Sequence, residues 1–264
     1  MEIRTISSAR NEKVKRWRKL GTRKGRDEYR SMMIEGEKLL REALDADLDI
    51  RSILVSEEGT AVLEQFPELR ELPVYCLYPS VFTGLVDTQS PQGIAAEVSI
   101  PRHTAPYHPP ERAQVLLLDT IQDPGNLGAI LRTAEAAGIR DIWLGNGTVD
   151  PFNPKVVRSA MGSLFRAHLH QGDLVDVIPD LKKMGFLIVS ADPKGERDHF
   201  EFSIPERTAL LLGNEGHGIH PELQSLTDER VRIPMPGKVD SLNVAVTAGI
   251  LLYEWVRQKQ DGNG

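Results

Sequence analysis

One cysteine, Cys76, stands in 264 residues. A lone thiol excludes an intrachain disulfide and a cysteine-cluster metal centre, and it fits a reducing cytoplasm. No apolar run reaches the roughly 18 residues that cross a bilayer. The charged start, with Glu2 and Arg4, excludes a signal peptide. A dinucleotide fingerprint is missing too: Gly213, Gly216 and Gly218 give G-x-x-G-x-G instead of G-x-G-x-x-G. A phosphate-binding P-loop is also lacking. His103 and His108 are two loop histidines without a thiol or a carboxylate cluster beside them in sequence, so no metal is expected. What is present, 40% hydrophobic and 27% charged residues, is ordinary for a globular protein long enough for two domains.

The net charge of −6 conceals an asymmetry. Residues 1–30 hold eleven Lys/Arg against four acids, a surplus of +7, which leaves −13 for the remainder. A basic segment on an acidic body suits a polyanionic partner held at one end. Its candidate contacts are Lys13, Lys15, Arg16, Arg18, Arg23, Lys24 and Arg26. The alternative is a solvated helix face with no partner.

Periodicity predicts a basic helix over 10–24, with Val14, Trp17 and Leu20 as its apolar stripe. Strands are expected at 32–34, 53–55, 74–77 and 94–98, with helices at 37–46 and 61–66. Residues 1–98 thus read as a small α/β domain without a catalytic constellation. Four prolines between 99 and 112 forbid a helix or central strand and predict an extended tether. From 113 to 264, strands and helices alternate. Val115–Leu118 is a continuous apolar strand of the kind buried on both faces of a parallel sheet. Further strands are expected at 141–144, 186–190, 209–212 and 231–233. Asn126 is the expected cap of a helix closed by Gly138, and Asn153-Pro154 opens another, carrying Lys155 and Arg158.

Three polar loops follow strand ends in this half: Asp119 to Gly128, Leu212 to Gly218, and Arg232 to Asn243. In a parallel sheet they emerge on one edge, where ligands of such folds sit. The third loop is stiffened by Pro234 and Pro236 and runs into an apolar helix expected from about Ser241. Ser241 and Asn243 then lie where orphan N–H groups and positive partial charge collect. Two readings stay open there: a binding site, or simple capping by Asp240 or Ser241.

The stretches Asp123-Pro-Gly-Asn-Leu-Gly through Gly138, Leu211-Leu-Gly-Asn-Glu-Gly216, and Ile233-Pro-Met with Ser241-Leu-Asn-Val-Ala and Gly249 to Glu254 resemble the three motifs of the SpoU/TrmH family. These are S-adenosylmethionine-dependent RNA ribose 2′-O-methyltransferases. The resemblance spans about 113–260. Lys13 to Glu35 and the Thr88 to Gly93 turn more loosely resemble the substrate-binding domain of rRNA members. It implies a trefoil knot within about Leu210 to Tyr253, and a homodimer whose sites are completed by the partner. The small residues Gly128, Ala129, Ala134, Ala136 and Ala137 would permit close packing at that seam.

The resemblance also assigns roles. Gly213, Asn214, Gly216, Ile233, Met235, Ser241, Leu242, Asn243 and Ala245 would hold S-adenosylmethionine. Arg132, Asn126, Glu215, Ser241 and Asn243 would serve catalysis, with no metal. Lys155 and Arg158 would contact RNA phosphate. A free guanidinium keeps its proton to above pH ~12, so an arginine base at neutral pH would cost roughly 7–9 kcal/mol. The expected role of Arg132 is therefore to stabilise the developing alkoxide, while a substrate phosphate near Ser241 helps take the proton. An Arg132–Glu135 surface pair is the competing reading. His217 is titratable and close in sequence, but the family pattern does not require it. The appended first domain favours rRNA over tRNA, and a non-catalytic RNA-binding protein is the third possibility.

Overall fold

The computed structural model describes residues 2–86, 88, 91–101, 107, 109–110 and 113–261. His103, His108 and much of the proline-rich tether lie outside the described residues, as do Gln89 and Ser90 of the first domain's last turn. The fold is mixed α/β. Contacts divide it into two compact units: Met1–Arg102 with Asp150–Phe165, and His103–Val149 with Arg166–Gly264.

In chain order the first unit comprises β1 (Ile3–Ile6), α1 (Glu12–Lys19), α2 (Arg23–Tyr29), β2 (Ser31–Glu35), α3 (Glu37–Asp45), β3 (Ile50–Ser56), β4 (Val74–Leu77), α4 (Pro79–Thr83) and β5 (Ile94–Ser99). Its strands form one sheet in the order β1-β4-β3-β5-β2. The single basic helix expected over 10–24 is two helices. Thr22 is the reason: its hydroxyl accepts from the Gly25 amide at 3.2 Å and starts α2 afresh. The expected apolar stripe holds, with Val14, Trp17 and Leu20 buried against Leu54, Tyr75 and Leu77. The short helix expected at 61–66 is of 3-10 type, Glu58–Gln65, and a second 3-10 stretch follows at Pro67–Glu71.

The later half continues with β6 (Ala113–Leu118), α5 (Pro124–Ala136), β7 (Asp141–Leu144), α6 (Pro154–Ala160), β8 (His168–Gln171), α7 (Leu174–Lys183), β9 (Leu187–Ala191), β10 (Arg197–Asp198), β11 (Arg207–Leu212), α8 (Pro221–Ser225), β12 (Glu229–Arg232) and α9 (Val244–Asp261). Its seven strands are all parallel, in the order β10-β12-β9-β11-β6-β7-β8. Val115 and Leu117 of β6 pack with Ala209 and Leu211 of β11 under Leu174, Ile178 and Leu181 of α7. The alternate residues Leu116, Leu118, Leu210 and Leu212 are also buried, so both central strands are covered on both faces. Among the described residues no helix is long and apolar enough to cross a membrane.

Candidate active site

β6 and β11 are neighbours at the centre of the second unit's sheet. From β6 the order runs outward through β7 to β8, and from β11 it runs the other way through β9 and β12. The carboxyl ends of two such strands frame the crevice in which parallel α/β sheets bind ligands. The loops leaving Leu118 and Leu212 are stitched together there. The Asp119 carboxylate is buried and accepts from the Thr120 hydroxyl and the His220 amide, both at 2.8 Å. Thr120 is a β-branched residue at φ +55°, in the left-handed region. Such a conformation costs of order 1–3 kcal/mol and persists only where its surroundings over-determine it. Here the Asn214 side-chain amide donates to the Thr120 carbonyl at 2.8 Å.

The second loop is a tight hairpin. Asn214 and Gly218 exchange backbone hydrogen bonds at 2.9 and 3.0 Å, and the Asn214 carboxamide oxygen accepts from the Gly216 and His217 amides. Gly213 is required by space: a Cβ there would stand 2.3 Å from the Gly218 carbonyl carbon and the Ile219 nitrogen. This hairpin presents Glu215 to the start of α5. Its carboxylate accepts from the Asn126 side-chain amide at 3.1 Å and from the Asp123 and Gln122 amides at 3.3 and 3.4 Å. Partial burial pushes the Glu215 carboxyl up, but these donors outweigh it and hold the group below the ordinary carboxylate value. An ionised carboxylate so engaged at a helix N-terminus is a clamp.

Asn126 does not cap α5. Asp123 does, accepting the Asn126 amide at 2.8 Å, with Pro124 at the first helical position. The Asp-Pro pair carried that signal in the sequence. Displaced into the first turn, Asn126 has its side chain available to the site. It donates to Glu215 and accepts from the Asn243 side-chain amide at 2.9 Å. Asn243 in turn caps α9, accepting the Ala245 amide at 2.9 Å and the Val246 amide at 3.4 Å. The last helix therefore begins at Val244, not near Ser241, and neither Asp240 nor Ser241 caps it. The relay Asn243–Asn126–Glu215 joins all three loops.

Ser241 is exposed in the loop before that cap, and Ile233, Met235 and Leu242 are half-buried along it. Arg132 lies six residues beyond Asn126 on α5, about 9 Å along the axis at ~1.5 Å per residue. It is exposed, and its guanidinium makes no hydrogen bond or ion pair among the described residues. Glu135 is paired with Arg166, so the competing Arg132–Glu135 pair does not form.

The basic segment divides. Arg26 is 3% exposed, pairs with Asp150 and donates to the Leu20 carbonyl at 2.9 Å. Arg16 pairs with the buried Glu97, which also accepts the Trp17 indole N–H at 2.9 Å. Arg26 is thus buried, which corrects its assignment as an RNA contact, whereas Arg16 is ion-paired with 38% of its side chain still exposed. Lys15 pairs with Glu12 at 2.7 Å and Arg23 with Asp27 at 4.0 Å, both at the surface, and Lys13 stands over the Tyr75 ring. Arg18 and Lys24 carry no hydrogen bond or ion pair among the described residues. Lys155 and Arg158 sit on α6, which groups by contacts with the first unit, not with the three loops.

A parallel sheet whose switch-point crevice is built by three stitched loops, and closed by a C-terminal helix, defines an α/β ligand-binding domain of enzyme type. Residues 113–253 match the SpoU rRNA Methylase family, and residues 11–96 match an MRM3-like substrate binding domain. The chain belongs to the SpoU methylase family. It is 38% identical, over 95% of its length and 98% of the relative's, to the 23S rRNA (guanosine(2553)-2′-O)-methyltransferase RlmP of Bacillus subtilis. A 23S rRNA (uridine(2479)-2′-O)-methyltransferase of Streptomyces viridochromogenes is 29% identical, over 97% of this chain and 93% of the relative. The AdoMet-bound rRNA methyltransferase from Sinorhizobium meliloti superposes with a TM-score of 0.85 at 32% identity, covering 97% of this chain and 98% of that one.

Proposed function

We propose that this protein transfers a methyl group from S-adenosylmethionine to a ribose 2′-OH of large-subunit rRNA, working in the cytoplasm as a homodimer. The observation that carries this is the Asn243–Asn126–Glu215 relay, which brings the three family motifs to one edge of the parallel sheet. The residues present fit the cofactor. Gly213 lets the hairpin close on itself, and Gly216 leaves exposed backbone beside it. Ile233, Met235 and Leu242 offer half-buried apolar contacts, with Asn243 and Ala245 beside them. Bound there, S-adenosylmethionine supplies a methyl group already activated by its sulfonium.

The chain's own residues do the rest. Glu215 holds the first two loops in register, and Asn126 passes that order to Asn243. Arg132, exposed and unpaired, stabilises the alkoxide that develops on the ribose. Ser241 holds the substrate phosphate that helps take the proton. The partner subunit completes each site. Support for a dimer comes from α9, which leaves Val246 50% and Tyr253 51% exposed, two turns apart on one helix face. Of the small residues on α5, Gly128 and Ala134 are buried in their own unit, while Ala129 and Ala136 remain accessible to such a seam. The C-terminal segment passes through a trefoil knot on this reading. In its favour, α9 packs on α5, which follows β6, although the preceding strand β12 lies beyond β9 and β11. Residues 1–98 are assigned to gripping rRNA, together with the 150–165 segment that groups with them, the stretch 99–112 to tethering, and the rest of 113–264 to catalysis.

The decisive experiment maps ribose methylation by mass spectrometry in rRNA from cells with and without the gene. One missing 2′-O-methyl in the large subunit is the expected result. Unchanged rRNA alongside a lost tRNA methyl would transfer the activity to tRNA. No lost methyl anywhere would leave a non-catalytic RNA-binding protein.

A further inference from the structure

The first unit holds a cavity of about 410 Å³ that lies outside the three loops. Its volume falls within the roughly 300–1,000 Å³ of small-ligand sites. The walls come from segments far apart in sequence. α1 and its following turn supply Arg18 and Gly21, β2 supplies Met33 to Glu35, and the turn after α4 supplies Gly84 to Val86. α6 adds Asn153, Pro154, Val157 and Arg158.

The lining has three chemical parts. Met33, Leu85 and Val86 form an apolar wall, with Ile34 and Val157 buried behind it. Two guanidinium groups flank it. That of Arg18 is exposed and carries no hydrogen bond or ion pair among the described residues, and Arg158 is half-buried. The third part is the Glu35 carboxylate. Its Oε1 accepts the Thr88 hydroxyl at 2.6 Å, while its Oε2 has no partner among the described residues. A flat apolar wall, a planar cation and an open acceptor oxygen together suit a base with its phosphate. RNA-binding proteins read splayed-out bases in this way, with guanidinium planes stacking and polar side chains meeting the base edge.

We infer that this cavity seats one unpaired nucleotide of the RNA substrate. Arg18 meets its phosphate or stacks on its base, the Met33–Leu85–Val86 wall takes the base face, and Glu35 accepts an N–H from the base edge. The inference rests on the RNA-methyltransferase reading above and adds a second grip, on the first unit. A guanidinium at the mouth favours an anionic occupant, and Glu35 requires an occupant that donates. A nucleotide supplies both, whereas inorganic phosphate supplies only the first.

The test uses the full chain, S-adenosylmethionine and protein-free large-subunit rRNA. Steady-state methyl transfer is measured for the unaltered protein and for Arg18→Glu, Glu35→Gln and Leu85→Trp, which fills the cavity. Arg70→Glu, a charge reversal on the same unit away from the cavity, controls for general electrostatics. Arg18→Glu and Leu85→Trp should raise KM at least tenfold with kcat and calorimetric cofactor affinity unchanged. Glu35→Gln should raise KM about threefold. Arg70→Glu should move KM by less than half as much as Arg18→Glu. Equal effects of Arg18→Glu and Arg70→Glu, or an unchanged KM in Arg18→Glu, would overturn the inference while the unaltered enzyme's activity stands. Absence of methyl transfer by the unaltered protein would instead remove the functional reading, and this inference with it.

Discussion

Both carboxylate oxygens of Glu215 accept from donors of the first loop. Its folded-state carboxyl lies below the ordinary value of 4.5. A depressed carboxyl contributes stability that is complete above that ordinary value and disappears as pH falls through the lowered one. Glu215→Gln should therefore lower the thermal midpoint at pH 7, by an amount equivalent to about 1 kcal/mol for an exposed charge-assisted hydrogen bond. Melts repeated from pH 7 to pH 3 should show the two proteins converging only below pH ~4.5. A gap that persists undiminished at pH 3 would mean the charge is not the source. Asn243 separates two duties. Asn243→Ala removes a cap and should cost about 1 kcal/mol in denaturation. Asn243→Asp keeps the cap but sets a carboxylate against the Asn126 oxygen, so stability should hold while kcat falls about 10–100-fold through misplacement. Arg132→Lys keeps charge and loses the planar fork. A kcat drop of about 10²–10³ is expected for a lost oxyanion donor, and near-normal turnover would refute a shape-specific role.

At the level of elements, β6, β9 and β11 were legible because each is buried along most of its length and shows as a nearly unbroken apolar run. Observed β7 coincides with its expected span, β6 and β11 begin two residues earlier than expected, and β9 and β12 differ by one or two residues at both ends. β8, His-Leu-His-Gln, escaped because it is a sheet edge with no apolar run to display. The residues of the three loops were legible as polar punctuation after strands, but their wiring was not. Nothing in spacing says that Asp123 caps so that Asn126 is freed, or that Asn243 reaches Asn126 across 117 positions. Charge was misread for a similar reason: composition counts Arg26 as basic surface, and only packing shows it inside, against Asp150. Breaking a buried pair from one side strands the other charge. Arg26→Ala should cost about 3–5 kcal/mol in chemical denaturation. Adding Asp150→Ala should cost less than the sum of the two single changes, and strict additivity would show that the pair is not coupled.

For the whole molecule, assembly is the property with the most at stake. α9 carries both the cap that enters the site and the exposed Val246 and Tyr253. If that face is the dimer seam, Tyr253→Arg should shift sedimentation from dimer to monomer, and activity should fall with it because the partner completes each site. A variant that is monomeric yet fully active would detach the two properties.

The contact between Arg26 and Asp150 spans 124 positions, and that separation has a consequence for biosynthesis. Chains leave the ribosome from the N-terminus, and early domains usually close while later ones are still being made. Here the early unit carries its apolar cluster within residues 6–95, but Arg26 has no carboxylate partner until Asp150 is made. Its charged core position stays uncompensated, and one wall of its cavity is absent, until α6 has been translated, by which time β6 and α5 have also emerged. The early unit therefore reaches full stability only after α6 arrives, and a fragment ending at the tether should unfold at lower denaturant than the same unit in the full chain.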